Sequence, residues 1–347
     1  MTKSINLALQ GGGAHGAFTW GVLNRLLNED VEIEAISATS AGAMNAAAFK
    51  RGWVEGGKDG ARARMASFWK TIGDSSTTTP SMIDNWIALA GPFAGIVRET
   101  LDKNPFAPTM SDLIQSWSPY LSNPMNINPL RKIVEELYDD QKMHGSIGPK
   151  LFINATNVRT GKVKVFTGKE LNADAILASA CLPTFFQAIE IPDLKTGKLE
   201  AYWDGGFSGN PALFPLIYNA DALDILIVHI NPLHREELPK TRAEIENRIN
   251  EVSFNSSLLR ELRNIEFVER LIKAGKVQDN EMKALRIHSL SDDKTMTELG
   301  VDSKNFTDNV MLEKLHDRGF EAMDRFVHAH WNDIGSRSSC DLRAMFE

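Results

Sequence analysis

Cysteine is almost missing from this chain: Cys181 and Cys340 are the only two in 347 residues, far apart and without metal-ligand spacing. Neither a disulfide framework nor a cysteine-based metal site is indicated, and a reducing, cytoplasmic setting is the expectation. Long apolar runs are missing too. The uncharged apolar stretch Asn85 to Val97 is shorter than the roughly 20 residues that span a bilayer, and Gly91-Pro92 interrupts it. Met1 to Gln10 carry one Lys and an apolar alternation that runs straight into glycines, too little apolar length for a signal peptide. Membrane contact is therefore expected to be peripheral. Basic residues are in deficit, 38 against 45 acidic, and the net charge of -7 argues against nucleic acid as the main partner.

What is present is an alternation of strand and helix patterns. Ile5, Leu7 and Leu9 alternate with Asn6 and Ala8, and Phe18, Val22 and Leu26 then recur every four residues, so a strand gives way to a helix. A second pair follows: Ile33 to Ala38 is an apolar strand, and the alanine-rich run Ala41 to Phe49 is a helix. Residues 74–128 change texture, with Ser, Thr and Pro clusters around short apolar runs, and are expected to form a helical insertion. Strand character returns at Leu151 to Val158 and Val163 to Thr167, and Ala173 to Leu182 is a helix ended by Pro183. Leu223 to Ile230 is a nearly unbroken apolar run, as in a parallel strand covered on both faces. Glu236 to Lys276 predicts a solvated helix pair with an apolar inner face, and Leu312, Leu315, Phe320, Met323, Phe326 and Trp331 mark a last amphipathic helix. An α/β core follows.

Both strand-to-helix joints carry chemistry. Gly11-Gly12-Gly13-Ala14-His15-Gly16 fills the first, and Ser40 of Ala38-Thr39-Ser40-Ala41-Gly42 sits at the second. A serine in such a turn is forced outward, and the helix that starts after it aims amide hydrogens at developing negative charge. The competing reading is an ordinary helix N-cap serine. Gly11, Gly13 and Gly16 also fit the dinucleotide fingerprint, as in a nucleotide-dependent oxidoreductase, but that use needs an acid at the end of the second strand. Glu32 and Glu34 stand at that strand's beginning instead. The same amides can form an oxyanion hole for acyl transfer.

A nucleophilic serine needs a base. Of eight histidines, His229 ends an apolar strand and is the best candidate for a triad, whereas His316, His328 and His330 lie on the last helix. Asp204 offers a different arrangement: it follows the extended Leu199 to Trp203, and Gly205 and Gly206 let the chain turn sharply beside it. The alternative is a turn aspartate that caps its own backbone. A catalytic one requires a close bond to the serine and partial desolvation, since an ordinary carboxylate is a weak base.

In chain order Gly11 to Gly16, Ser40, Ala178-Ser179-Ala180-Cys181-Leu182-Pro183-Thr184-Phe185-Phe186, Asp204-Gly205-Gly206 and Asn210-Pro211 resemble the patatin-like phospholipases, over about residues 5–230. The resemblance implies a three-layer α/β/α domain with a mostly parallel sheet that includes the insertion, and residues 231–347 as a helical extension packed on it. It implies a serine hydrolase acting on acyl esters of phospholipids, lysophospholipids or neutral glycerides, without cofactor or metal. Ser40 is then the nucleophile and Asp204 the base. Gly11, Gly12, Gly13 and Ala14 supply the oxyanion hole, and Gly16, Gly42, Gly205 and Gly206 complete the motifs. A noncatalytic module of the same fold is the other reading; it would keep its effect without Ser40. Two positions depart from the family pattern: His15 replaces Arg or Lys, with an expected effect on anionic head groups, and Ala38 replaces glycine. Trp86, Ile87, Leu89, Phe93, Ile96 and Val97 of the insertion are candidates to line an acyl pocket or touch a membrane.

Overall fold

The first strand, β1 (Lys3–Leu9), is buried on both faces from Ile5 onward, the condition of a strand inside a parallel sheet. The computed structural model describes residues 2–78, 118–278, 281–299 and 308–347. A short 3-10 turn, Gly13–His15, leads from β1 into α1 (Gly16–Leu26), and β2 (Val31–Thr39) leads through Ser40 into α2 (Ala41–Thr78). The second helix is much longer than its alanine run predicts; Gly56 and Gly57 break it, Gly57 with φ 60°. The core of the expected insertion, with its apolar candidates from Trp86 to Val97, lies outside the described residues.

After it come α3 (Pro119–Ser122), α4 (Leu130–Leu137) and α5 (Asp140–His144), then β3 (Lys150–Asn157), β4 (Val163–Phe166) and α6 (Ala173–Ser179). Helix α6 stops three residues before the expected end at Leu182, because Pro183 disfavours helical backbone before it and the Cys181 carbonyl accepts from the Asp204 amide. The remaining elements are β5 (Ile189–Pro192), β6 (Leu199–Asp204), α7 (Phe214–Asn219), β7 (Asp224–Val228), α8 (Arg242–Lys273), β8 (Arg286–Leu290), α9 (Asp293–Glu298), α10 (Asn309–His330) and α11 (Leu342–Phe346).

Two expectations about the C-terminal part are corrected. The predicted helix pair is one helix, α8, opened by a Thr241–Glu244 capping box. Its inner face is apolar only in the second half, at Leu258, Leu262 and Ile265; in the first half it buries Asn247, Glu251 and Asn255. Nor are residues 231–347 purely helical, since they supply β8, which pairs in parallel with β7.

The parallel strands run β3-β2-β1-β7-β8, with β4, β5 and β6 added antiparallel at the β3 side. One buried cluster joins the sheet to α1, α2, α4, α6 and α10; a second joins its other face to α7, α8 and α11. The chain is thus the three-layer α/β/α arrangement with a mostly parallel sheet. No helix among the described residues is long and apolar enough to cross a membrane.

The registers hold one further fact. Thr156 of β3 pairs with Val163 of β4 and with Trp203 of β6, and Asn154 pairs with Val165 of β4 and with Thr39 of β2. A strand residue has one partner per edge, so β2 and β6 share the edge of β3 opposite β4, end to end and running toward each other. Their last residues, Thr39 and Asp204, stand opposite the consecutive Asn154 and Ala155.

Candidate active site

Ser40 is the single residue between β2 and α2, and its φ of 55° puts it in the left-handed region that a non-glycine residue enters at a cost. Hydrogen bonds hold it there. Its amide donates to Ser179 Oγ at 2.9 Å, that hydroxyl donates to the Asn154 carbonyl at 2.6 Å, and the Ser40 carbonyl accepts from Met44 in the first turn of α2. The helix start lies directly over the end of β1: a Cβ on Gly42 would stand 2.4 Å from the Leu9 carbonyl oxygen. Gly11 rests against the Ser40 side chain and Gly16 against Ala41, so both glycine motifs meet at the serine. Ala38 is fully buried in the sheet, where its methyl is accommodated.

Asp204 ends β6 and is 1 % exposed. Its Oδ1 accepts from the Gly206 amide at 2.7 Å, the bond of a turn aspartate that caps its own backbone. Its Oδ2 is buried without a formed hydrogen bond among the described residues. Burial pushes the carboxyl up to about 7, against the downward pull of the Gly206 amide and the Ser40 hydroxyl. The Ser40 hydroxyl is thus near enough to favour the charged carboxylate without an ordinary hydrogen bond to Oδ2. Gly205 lies under this turn, where a Cβ would stand 2.2 Å from the Asn154 carbonyl oxygen, and Gly206 faces the Phe254 ring.

The glycine loop divides its amides. Gly11 donates to Asn210 Oδ1 at 2.7 Å, which removes it from the expected oxyanion donors. The His15 amide closes on the Gly12 carbonyl, and the Gly16 amide on Gly13 and Ala14. The amides of Gly12, Gly13 and Ala14 donate to no acceptor among the described residues, and Gly13 is exposed. His15 is buried, 1 % exposed, so it is not the solvent-facing head-group contact that its position in the motif suggested.

The competing residues fall elsewhere. His229 is buried with both ring nitrogens unpaired among the described residues, held down to about 4 by burial, and bonds neither Ser40 nor Asp204. His316 bonds Asn24, His328 the Asp324 carbonyl and His330 Asp333. Glu32 stands opposite Ser4 at the start of β2, the other end of the strand from the glycine loop, and Glu34 accepts from the amides of Asp221 and Ala222, so neither is placed to hold a ribose beside the loop. Among the described residues no three His, Cys, Asp or Glu side chains converge as metal ligands.

The sequence names Ser179 only as part of a motif, without a role, and does not single out Asn154, Gln10 or Asn231. A signal was available: Asn154 lies inside β3 and Gln10 directly follows β1, each after a run of apolar residues, and buried amides are kept where they bond backbone.

Residues 7–217 match the family model described as Patatin-like phospholipase. No curated protein matches the chain. Among solved structures the chain is similar to VipD from Legionella pneumophila, with 12% sequence identity and a TM-score of 0.39, over 95% of this chain and 67% of that one.

Proposed function

The chain belongs to the patatin-like phospholipase family, and from that premise we propose that it is a serine acyl hydrolase that cleaves carboxylic ester bonds of phospholipids or lysophospholipids with Ser40 and Asp204 alone. The observation that carries this reading is the meeting of β2 and β6 on one edge of β3, which sets a strained serine beside a buried carboxylate with one oxygen unpaired among the described residues.

In the proposed reaction the Asp204 carboxylate takes the Ser40 hydroxyl proton while Oγ attacks the acyl carbonyl. The amides of Gly12, Gly13 and Ala14 receive the oxyanion, with the exposed Gly13 nearest to solvent. Collapse of the tetrahedral species breaks the ester bond, and the alcohol leaves with the proton from Asp204. Water then attacks the acyl-enzyme with Asp204 again as base. A carboxyl near 7 is matched to both roles, since it accepts and returns a proton at neutral pH.

A fluorophosphonate forms a stable bond only with an activated serine, so peptide mass mapping after labelling tests the assignment. Label at Ser40, absent from Asp204→Asn, is expected. Label on another serine, or full hydrolysis of a short-chain ester by Ser40→Ala, would refute it.

A further inference from the structure

Gly11 is gripped on both sides by side-chain amides that the proposed reaction does not use. Its N–H donates to Asn210 Oδ1 at 2.7 Å, and its carbonyl accepts from Asn231 Nδ2 at 2.8 Å. Both asparagines are at most 1 % exposed. Gln10 ties them together. Its Oε1 accepts from the amides of Ile230 and Asn231 at 2.9 and 3.0 Å, while its Nε2 donates to the Asn210 carbonyl at 3.2 Å and to Asn255 Oδ1 at 3.0 Å. Asn255, from the polar half of the inner face of α8, donates in turn to the carbonyls of Asn231 and Pro232.

The bond to the Gly11 carbonyl has a consequence for its neighbour. The carbonyl of Gly11 and the N–H of Gly12 belong to one planar trans peptide and point in opposite directions, so fixing the one fixes the other. Between two glycines that peptide has little steric resistance to flipping. A flip would turn the Gly12 N–H, one of three loop amides without an acceptor among the described residues, away from the site. Donation from Asn231 also polarises the peptide and strengthens its N–H as a donor.

We infer that Asn231 is a positioning residue that locks the Gly11–Gly12 peptide with its N–H turned toward the oxyanion, and that Gln10 and Asn255 hold Asn231 in place. The inference rests on the acyl-hydrolase reading of the same site. It also accounts for Asn255 on the inner face of α8, where an apolar residue was expected: Asn255 braces the loop from that side.

The test uses the full chain, a short-chain soluble ester and an acyl trifluoromethyl ketone, which adds to the serine and mimics the tetrahedral oxyanion. Asn231→Asp keeps the shape and removes the donor; Asn231→Ser, which buries no charge, is the second variant. For both, kcat falls about 10- to 100-fold, less than for outright loss of an oxyanion donor, KM stays within about twofold, and ketone affinity falls in step with kcat. Asn247→Ala, which removes a buried amide that bonds Glu251 on the same helix, loses stability but keeps kcat. An unchanged kcat in both Asn231 variants, or a loss confined to KM, overturns the inference. Fluorophosphonate labelling separates the two layers: label at Ser40 with normal kinetics in Asn231→Ser sinks only the positioning role, and label elsewhere sinks the acyl-hydrolase reading with it.

Discussion

Thr39 and Asp204 end two strands that run toward each other along the same edge of β3, opposite the consecutive residues Asn154 and Ala155. The separation between Ser40, which follows Thr39, and the Asp204 carboxylate is therefore fixed by the spacing of one strand and not by a loop. Rigid elements hold reacting groups more closely than loops do, and the proposed dyad, without an orienting third residue, would depend on that. Asn154 reinforces the junction, since its side chain donates to Ser37, Ala38 and Thr39 and its carbonyl receives Ser179.

The first prediction concerns pH. With the Asp204 carboxyl raised to about 7 by burial, the base is active only when deprotonated, so kcat/KM for a soluble ester rises with pH and reaches half its plateau near 7. The same group costs stability. Its folded pKa lies above the ordinary carboxylate value, so its contribution is fully favourable below about pH 4 and is lost as pH rises through 7. Asp204→Asn is expected to lose activity and to raise Tm at pH 8, with the gain gone at pH 4. A flat pH–rate profile across pH 5 to 9, or a lower Tm for the variant at pH 8, would contradict this.

Ser179 supplies the second. Ser179→Ala leaves the Ser40 amide and the Asn154 carbonyl without their buried partner, which costs about 1–3 kcal/mol and releases the strained turn. The expected kinetics are a fall in kcat of about tenfold with KM little changed, and a partial return in Ser179→Thr, which restores the hydroxyl. Urea unfolding and steady-state rates on the same samples check both halves.

Much of this was legible from pattern. Alternation at Ile5 to Leu9, the apolar run before Ser40 and the Asp204-Gly205-Gly206 turn each rest on local rules, so the strands, both joints and the placement of the two glycine motifs follow from neighbours in sequence. What was not legible depends on contacts across the chain. The loss of Gly11 as an oxyanion donor is caused by Asn210, and the clamp on its carbonyl by Asn231, each about 200 residues away. Strand β8 escaped notice because Arg286 and His288 interrupt its apolar pattern; they are explained only by their shared partner, Asp224. Asn255, in the polar inner half of α8, breaks the usual pattern for the same reason, as its partners are the Gln10 amide and the Asn231 and Pro232 carbonyls beneath the glycine loop.

Close packing at the junction gives the third prediction. Gly205→Ala would place its methyl carbon 2.2 Å from the Asn154 carbonyl oxygen, and backbone at the centre of a sheet cannot move aside cheaply. A loss of several kcal/mol in stability, or failure to fold, is expected, with no soluble esterase activity. Gly56→Ala is the control: nothing stands within 4 Å of its methyl position and its φ of −164° is ordinary extended backbone. That variant should unfold within about 0.5 kcal/mol of wild type and keep its activity. Equal stability for the two variants would mean that the junction is looser than its contacts imply.

The fourth concerns the opposite end of the sheet, where β7 and β8 begin. Asp224 is 2 % exposed and accepts from His288, from Arg286 through both carboxylate oxygens, and from the Gly335 amide of the C-terminal segment. Burial pushes its carboxyl up, but these partners outweigh burial and hold it down to about 2. A depressed carboxylate stabilises above its unfolded value and ceases to do so as pH falls through its folded one, so this contribution, about 2 kcal/mol, is lost between roughly pH 4 and pH 2. Asp224→Ala leaves the Arg286 guanidinium without its buried partner and is expected to cost about 3–5 kcal/mol at pH 7. Catalysis should not follow. Ser40 and Asp204 lie where β2 and β6 end, at the far end of the sheet from Asp224, and share no bond with it. Urea unfolding should therefore show a large loss, while kcat per fluorophosphonate-titrated site stays at the wild-type value; a parallel fall in kcat would show that the two ends of the sheet are coupled.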